Sequence, residues 1–460
     1  MPDLFLPTAL LPDGWATDVR LRVSDGGDIT AVHVGSDARG ARSVPGITVP
    51  GVPNLHSHAF QRAMAGLTER GSPTGDTFWT WRRRMYAFLD ALTPDDVEAV
   101  ARQLYSESLR HGFTSVGEFH YLRNAPDGTP YVTPHEMGAR LLAAASAVGM
   151  GMTLLPVVYR TSDFGGAAPT GAQRRFVATV SELLDDVAAL EVMATAAGGN
   201  ARAGMALHSL RAVPPDALAE ALSGLDGALA RAPIHIHVAE QAREVEACLA
   251  WSGARPVDWL LDHAPVDPRW CLVHATHMTP DETARVASSG AVVGLCPTTE
   301  SNLGDGVFPF PGFAGNGGRW GVGTDSHVSV SPVAELRTLE YGQRLTRQLR
   351  NVTVGPVDAS TGRALLEGAW AGGAQACGRP VGRIAEGSRA DLVALDPEHP
   401  ALVGREGDAV LDSWIFSGED TPVRDVMVGG RWVVEEGRTL DQDSNLEAYR
   451  RVARRITRPT

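Results

Sequence analysis

Eight short apolar runs, each followed by a helix-like stretch, recur along the middle of this chain. The first is 47–52; the others are 113–121, 152–159, 204–211, 234–240, 271–274, 291–296 and 320–325. Between them lie helix-start signals such as Thr93-Pro94-Asp95-Asp96, which caps a helix through Val97, Val100 and Leu104. Thr279-Pro280-Asp281-Glu282 is a second capping box with proline at the first helical position. Eight repeats of strand then helix predict an α/β fold, a (β/α)8 barrel. Outside the barrel, β-prone runs at 15–23, 29–34 and 47–49 are matched by 389–395 and 423–434, the last with a turn at Gly429-Gly430. Both chain ends are therefore expected to build one small β-sandwich. The expected boundaries are 1–49 and 380–437 for the sandwich, 50–379 for the barrel and 438–460 for a C-terminal helix.

In a barrel of this kind, reactive groups belong at the C-terminal ends of strands. His56 and His58 follow the first run, Tyr121 the second, His208 the fourth, His274 the sixth and Asp325 the eighth; His237 and Glu240 lie at the fifth. Strand side chains alternate, so His56 and His58 point the same way, roughly 7 Å apart. Two neutral imidazoles there can hold a divalent metal such as zinc. Taken alone, His56-Ser57-His58 also fits two polar loop residues, and His274 also fits a hydrogen-bonded core histidine. His235 lies deeper in its strand and reads as structural. His33, His111, His263 and His399 fall in helices or loops and read as solvated; His277 and His327 lie near the site without a role.

Composition narrows the chemistry. The chain has 460 residues with a net charge of -13, so nucleic acid and anionic membranes are poor partners. No apolar run reaches the ~20 residues of a membrane helix. The first residues lack the basic region of a secretion signal. Cys248, Cys271, Cys296 and Cys377 form no Cys-x-x-Cys and read as reduced thiols of a cytoplasmic protein. All 41 basic residues are arginine. Genomic base composition accounts for that, but the consequence is chemical. Schiff-base chemistry is excluded, and so is a carboxylated lysine bridging two metals. Any metal site must use His, Asp, Glu or Cys.

With these residues in place, the chain resembles the amidohydrolase superfamily over nearly its whole length: the flanking β-strands, Pro50-Gly51-Val52-Pro53-Asn54-Leu55-His56-Ser57-His58, His237, His274 and Gly323-Thr324-Asp325. The resemblance implies that His56, His58, His237 and Asp325 bind the metal. Without lysine, the chain is similar to the single-metal, deaminase-like branch, which carries His-x-x-Glu at strand five, here His237-Val238-Ala239-Glu240. Segments 56–66, 78–82, 119–121, 208–211 and 302–306 further resemble the family of formimidoylglutamate deiminases. That likeness implies hydrolysis of N-formimidoyl-L-glutamate to N-formyl-L-glutamate and ammonia, in histidine degradation, with one divalent ion, zinc, per chain. A homodimer is the expected assembly.

Three imidazoles and a carboxylate leave room for water at the metal, whose pKa falls toward ~7. The expected roles follow: Asp325 takes the water proton, Glu240 carries a proton to the leaving amine, and His274 orients the attacking group. The small-molecule substrate is a dicarboxylate, so Arg211 and Arg82 are expected to grip its carboxylates, with Gln61, Tyr121 and His208 adding neutral hydrogen bonds. Arg82 is expected in a loop after strand one; Arg82-Arg83-Arg84 also reads as a solvated charge run. Two other readings stay open. A deaminase of a heterocycle such as guanine, cytosine or a modified nucleoside needs stacking and amide contacts, not two arginines. A non-catalytic barrel scaffold predicts loss of a ligand or of Glu240, and none is lost.

Overall fold

In the computed structural model, which describes residues 3–73, 75–196, 198–354 and 360–457, the central runs become eight parallel strands. They are β1 (Val52–Ser57), β2 (Phe113–His120), β3 (Gly151–Val158), β4 (Met205–Ser209), β5 (Ile234–Val238), β6 (Trp270–His274), β7 (Val292–Leu295) and β8 (Arg319–Val322). Every residue of β1, β2 and β3 is buried, on both faces of the sheet. That is why these runs are continuously apolar rather than alternating: parallel sheets are covered on both sides. Neighbours pair in chain order from β1 to β8, with a short strand, Ala201–Ala203, beside β3. A parallel bridge between Ser57 and Asp325 brings the eighth strand back to the first.

Particular residues make that closure. The side-chain amide of Asn54 donates to Thr324 Oγ1 at 2.8 Å, and its oxygen accepts from the Thr324 backbone at 3.1 Å. The backbone N–H groups of Thr324 and Asp325 both donate to the His56 carbonyl at 3.0 Å. A Cβ on Gly323 would lie 2.8 Å from the backbone nitrogen and oxygen of His56, so only glycine admits this approach.

The chain ends build a separate sheet. Among the described residues, eight of its strands run in one hydrogen-bonded path and a short ninth, Arg42–Ser43, pairs beside Leu4–Leu11. Ile47–Pro50 joins the two ends, pairing in parallel with Leu4–Leu11 and antiparallel with Leu392–Leu395. Leu4, Leu6, Val19, Leu21, Leu392 and Met427 share a core of their own. The apolar run 47–52 is therefore not one strand, as its composition suggests. It divides at Gly51, whose N–H donates to Asp391 in the outer sheet, while the next N–H, of Val52, donates to Gly112 in the barrel. Leu4–Leu11 is an additional strand, its pattern obscured by Pro7. The helix Gln442–Ile456 returns to the barrel's outer layer, with Val452 beside Val100. No helix among the described residues is long and apolar enough to cross a membrane. The four cysteines are buried and unpaired.

Candidate active site

β1, β5 and β8 deliver four side chains to one point. Nε2 of His56 lies 3.2 Å from Nε2 of His58 and 3.1 Å from Nε2 of His237. Asp325 Oδ1 is 3.2 Å from His58 Nε2 and 3.5 Å from His56 Nε2. All four residues are buried, and their ligand atoms converge within 4.8 Å of one another. His58 donates through Nδ1 to the Phe119 carbonyl at 2.7 Å, and His237 through Nδ1 to the His208 carbonyl at 2.8 Å. Those bonds fix the tautomers, leaving the Nε2 lone pairs turned inward. Burial pushes the pKa of all three histidines down, so they stay neutral. Converging lone pairs and a carboxylate with no proton between them repel one another. A cation removes that repulsion, and ligands about 2.0–2.1 Å from one zinc lie about 3.3 Å apart in a tetrahedron. The donor set fits a divalent ion.

Beside this cluster is a group of carboxyls and one imidazole. His274 is buried, with Nδ1 donating to Glu300 Oε1 at 3.2 Å and Nε2 3.8 Å from both Glu240 Oε1 and Asp325 Oδ2. Burial alone would lower its pKa; Glu240, Glu300 and Asp325 outweigh that and lift it to about 10. Burial raises the Glu240 pKa to about 7, against the opposing pull of His274 and Arg211. His274 and Asp325 hold left-handed backbone angles, φ 66° and 47°. Such angles cost on the order of 1–3 kcal/mol each and cluster at functional sites.

A cavity opens over the cluster. His58, His237, Glu240, His274 and Asp325 form part of its wall, and Gln61, Arg82, Tyr121, His208 and Arg211 form more of it. His56 lies fully buried beneath. Gln61 donates to the Tyr121 hydroxyl at 3.2 Å, and burial pushes the Tyr121 pKa well up, keeping it neutral. The His208 ring packs edge-on to Tyr159, 4.6 Å between centroids. Arg211, from the end of β4, is 4 % exposed, and no carboxylate lies within ion-pairing distance of it among the described residues. Glu244 and Glu240 favour its charged form against the cost of burial, but neither pairs with it, which leaves the guanidinium open to an arriving anion.

Arg82 is not in a loop. It belongs to the helix α1 (Phe78–Leu89), started by a Thr77–Thr80 capping box. A helix turns about 100° per residue, so the three consecutive arginines fan apart. Arg82 lines the cavity, Arg83 faces solvent, and Arg84 donates to the Thr68 and Arg70 carbonyls.

Other residues take places that sequence patterning does not assign. His235 donates to the Ala376 carbonyl at 2.8 Å, the structural role expected of it. His327 bridges Thr324 Oγ1 and Ser57 Oγ at 2.9 and 3.1 Å, bracing the closure of the barrel. His111 and His399 are half-buried rather than solvated, while His33 and His263 are exposed as expected. Buried Glu118 accepts from Ser57 Oγ at 2.5 Å, the Ala59 backbone at 2.7 Å and Tyr105 at 3.0 Å, pinning the chain on both sides of His58. Glu244 accepts from the backbone of Ala239 and Glu240. Asp305, held by Gln241, is pushed up to about 9 by burial and by Glu240. The only sequence signal for Glu118 is a charge inside an apolar strand; Glu300 and Glu244 carry none.

The amidohydrolase family model matches residues 47–433. A second model, the N-terminal domain of formimidoylglutamate deiminase HutF, matches residues 4–43. The formimidoylglutamate deiminase of Pseudomonas aeruginosa is 49% identical over 449 residues, 98% of each chain. Among solved structures, an amidohydrolase from Brucella melitensis aligns over 100% of both chains with a TM-score of 0.93 and 46% identity. An adenosine deaminase from Xanthomonas campestris with bound zinc aligns over 99% and 98% at a TM-score of 0.82, with 21% identity, a likeness of fold.

Proposed function

The chain belongs to the amidohydrolase family, and from that premise we propose that it is the hydrolase that converts N-formimidoyl-L-glutamate to N-formyl-L-glutamate and ammonia, a step of histidine degradation. One observation carries the substrate assignment within the site: buried, unpaired Arg211 faces the same cavity as the His56, His58, His237 and Asp325 cluster. Glu244 and Glu240 favour that charge from beyond ion-pairing distance but do not pair with it; a heterocycle brings no partner, whereas a substrate with two carboxylates does.

In this reading His56, His58, His237 and Asp325 hold one divalent ion, zinc. Bound there, it supplies Lewis acidity that brings the pKa of water toward about 7. Asp325 receives the proton of the attacking water. Glu240, with a pKa near the working pH, carries a proton to the imine nitrogen and then to the departing amine. His274, whose protonated form Glu240 and Glu300 favour, donates toward the negative charge that develops as the formimidoyl carbon becomes tetrahedral. Its second proton is held by Glu300, which fixes the ring's direction. Arg211 and Arg82 bind the carboxylates, while Gln61, Tyr121 and His208 shape the neutral part of the pocket. The reading also includes a cytoplasmic location, in keeping with four unpaired buried thiols, and a homodimer, which light scattering checks.

An ammonia-release assay on zinc-loaded protein tests the assignment. N-formimidoyl-L-glutamate is expected to turn over, with guanine and cytosine inert. Turnover of either heterocycle with none of the formimidoyl compound would replace this reading with the heterocycle deaminase.

A further inference from the structure

Arg211 and Arg82 are not the only cations at this mouth. The guanidinium carbon of Arg82 lies 4.4 Å from the centre of the Trp79 ring, that of Arg243 4.7 Å and that of Arg211 5.6 Å. The three arginines come from separate elements: α1, the helix Ala242–Ser252 after β5, and the end of β4. An indole face attracts each cation and holds its head in place despite their mutual repulsion. Among the described residues, none of the three has a carboxylate within ion-pairing distance. In a chain with 54 acidic residues against 41 basic ones, three unpaired guanidiniums around one ring are an arrangement to explain. Their exposure is graded: Arg211 is buried, Arg82 half-buried and Arg243 exposed.

We propose that Arg243 is the outermost of three guanidiniums that receive an incoming dicarboxylate, and that it sets the preference for two carboxylates over one. This rests on the substrate reading above and deepens it. Arg243 does not line the cavity over the metal cluster, so it takes no part in the bond-breaking step. Its charge acts on the carboxylate farther from the formimidoyl carbon, once Arg211 holds the nearer one. A rim charge of this kind changes association and its salt dependence more than it changes chemistry.

The test uses zinc-loaded full-length protein and two probes, glutarate and butyrate, with binding followed by calorimetry alongside turnover of N-formimidoyl-L-glutamate. Arg243→Gln is expected to weaken glutarate about 3–10-fold at low salt, to leave butyrate unchanged and to raise KM with kcat held. The loss should shrink at ~0.5 M salt, where screening is effective within a few ångströms. Arg243→Lys should recover most of the glutarate affinity, which a merely structural arginine would not allow. Equal glutarate affinity in the parent and the glutamine variant overturns the proposal, as does equal loss for both probes. If the parent binds glutarate as described but releases no ammonia from N-formimidoyl-L-glutamate, the substrate reading fails while the role of Arg243 stands.

Discussion

Replacing Glu240 by glutamine separates proton transfer from metal binding. Glutamine keeps the shape, and the metal-cluster residues lie elsewhere, so metal content should be unchanged. What is lost is a carboxyl that burial has tuned to about 7, where it both accepts and gives a proton near neutral pH. The expected fall in kcat is about 10²–10⁴-fold; a variant nearly as fast as the parent would remove Glu240 from the proton path. Arg211 answers a different question. Arg211→Met takes a buried charge away from a carboxylate that then stays unpaired, a loss on the order of 2–5 kcal/mol. KM should rise strongly with metal content constant. An uncharged formamidine lacking both carboxylates should be a poor substrate for the parent and indifferent to the mutation. Equal losses for both compounds would make Arg211 structural.

At the scale of elements, the site depends on how β8 meets β1, because Asp325 and His56 are placed by that closure. Gly323→Ala puts a methyl group against the His56 backbone, which cannot swing aside as a flexible side chain would. Overpacking typically costs about 1–3 kcal/mol, and backbone as the obstacle places this case at the upper end. Thermal unfolding should show the loss, together with weaker metal retention; wild-type stability and metal content would mean the closure tolerates a shift. The same elements show what was legible in the sequence. The eight strands and the capped helices could be read because their signals are local: apolar runs, a Thr-Pro start, glycine stops. The His56 and His58 pair could be read from a period of two. The division at Gly51 could not, since both halves of 47–52 are apolar and only their distant partners, Asp391 and Gly112, differ. Arg82 was readable as a charge but not as helical, because the Thr77–Thr80 cap lacks the acidic residue that usually marks such a start. Glu118 owes its importance to Ser57, 61 residues away, and no local pattern records that.

For the whole molecule, the metal cluster is also a tie between the beginning and the end of the barrel. His56 and His237 are 181 residues apart, and Asp325 comes from the eighth strand, so an unfolded chain offers no such site. An ion that binds the folded state alone stabilises it by mass action, by about 2.7 kcal/mol at a hundred times its dissociation constant. In the metal-free protein, three inward lone pairs face a carboxylate, and the fold bears that repulsion until the ion arrives. Melting temperature should therefore rise with added zinc and fall with a chelator, and the rise should saturate near one equivalent per chain by elemental analysis. His56→Ala should abolish turnover and flatten the zinc response, yet its metal-free form should not be much less stable than metal-free parent, since the substitution also relieves crowding among the imidazoles. A parent whose melting point ignores zinc, or one that needs two equivalents per active chain, would contradict a single site that couples barrel closure to catalysis.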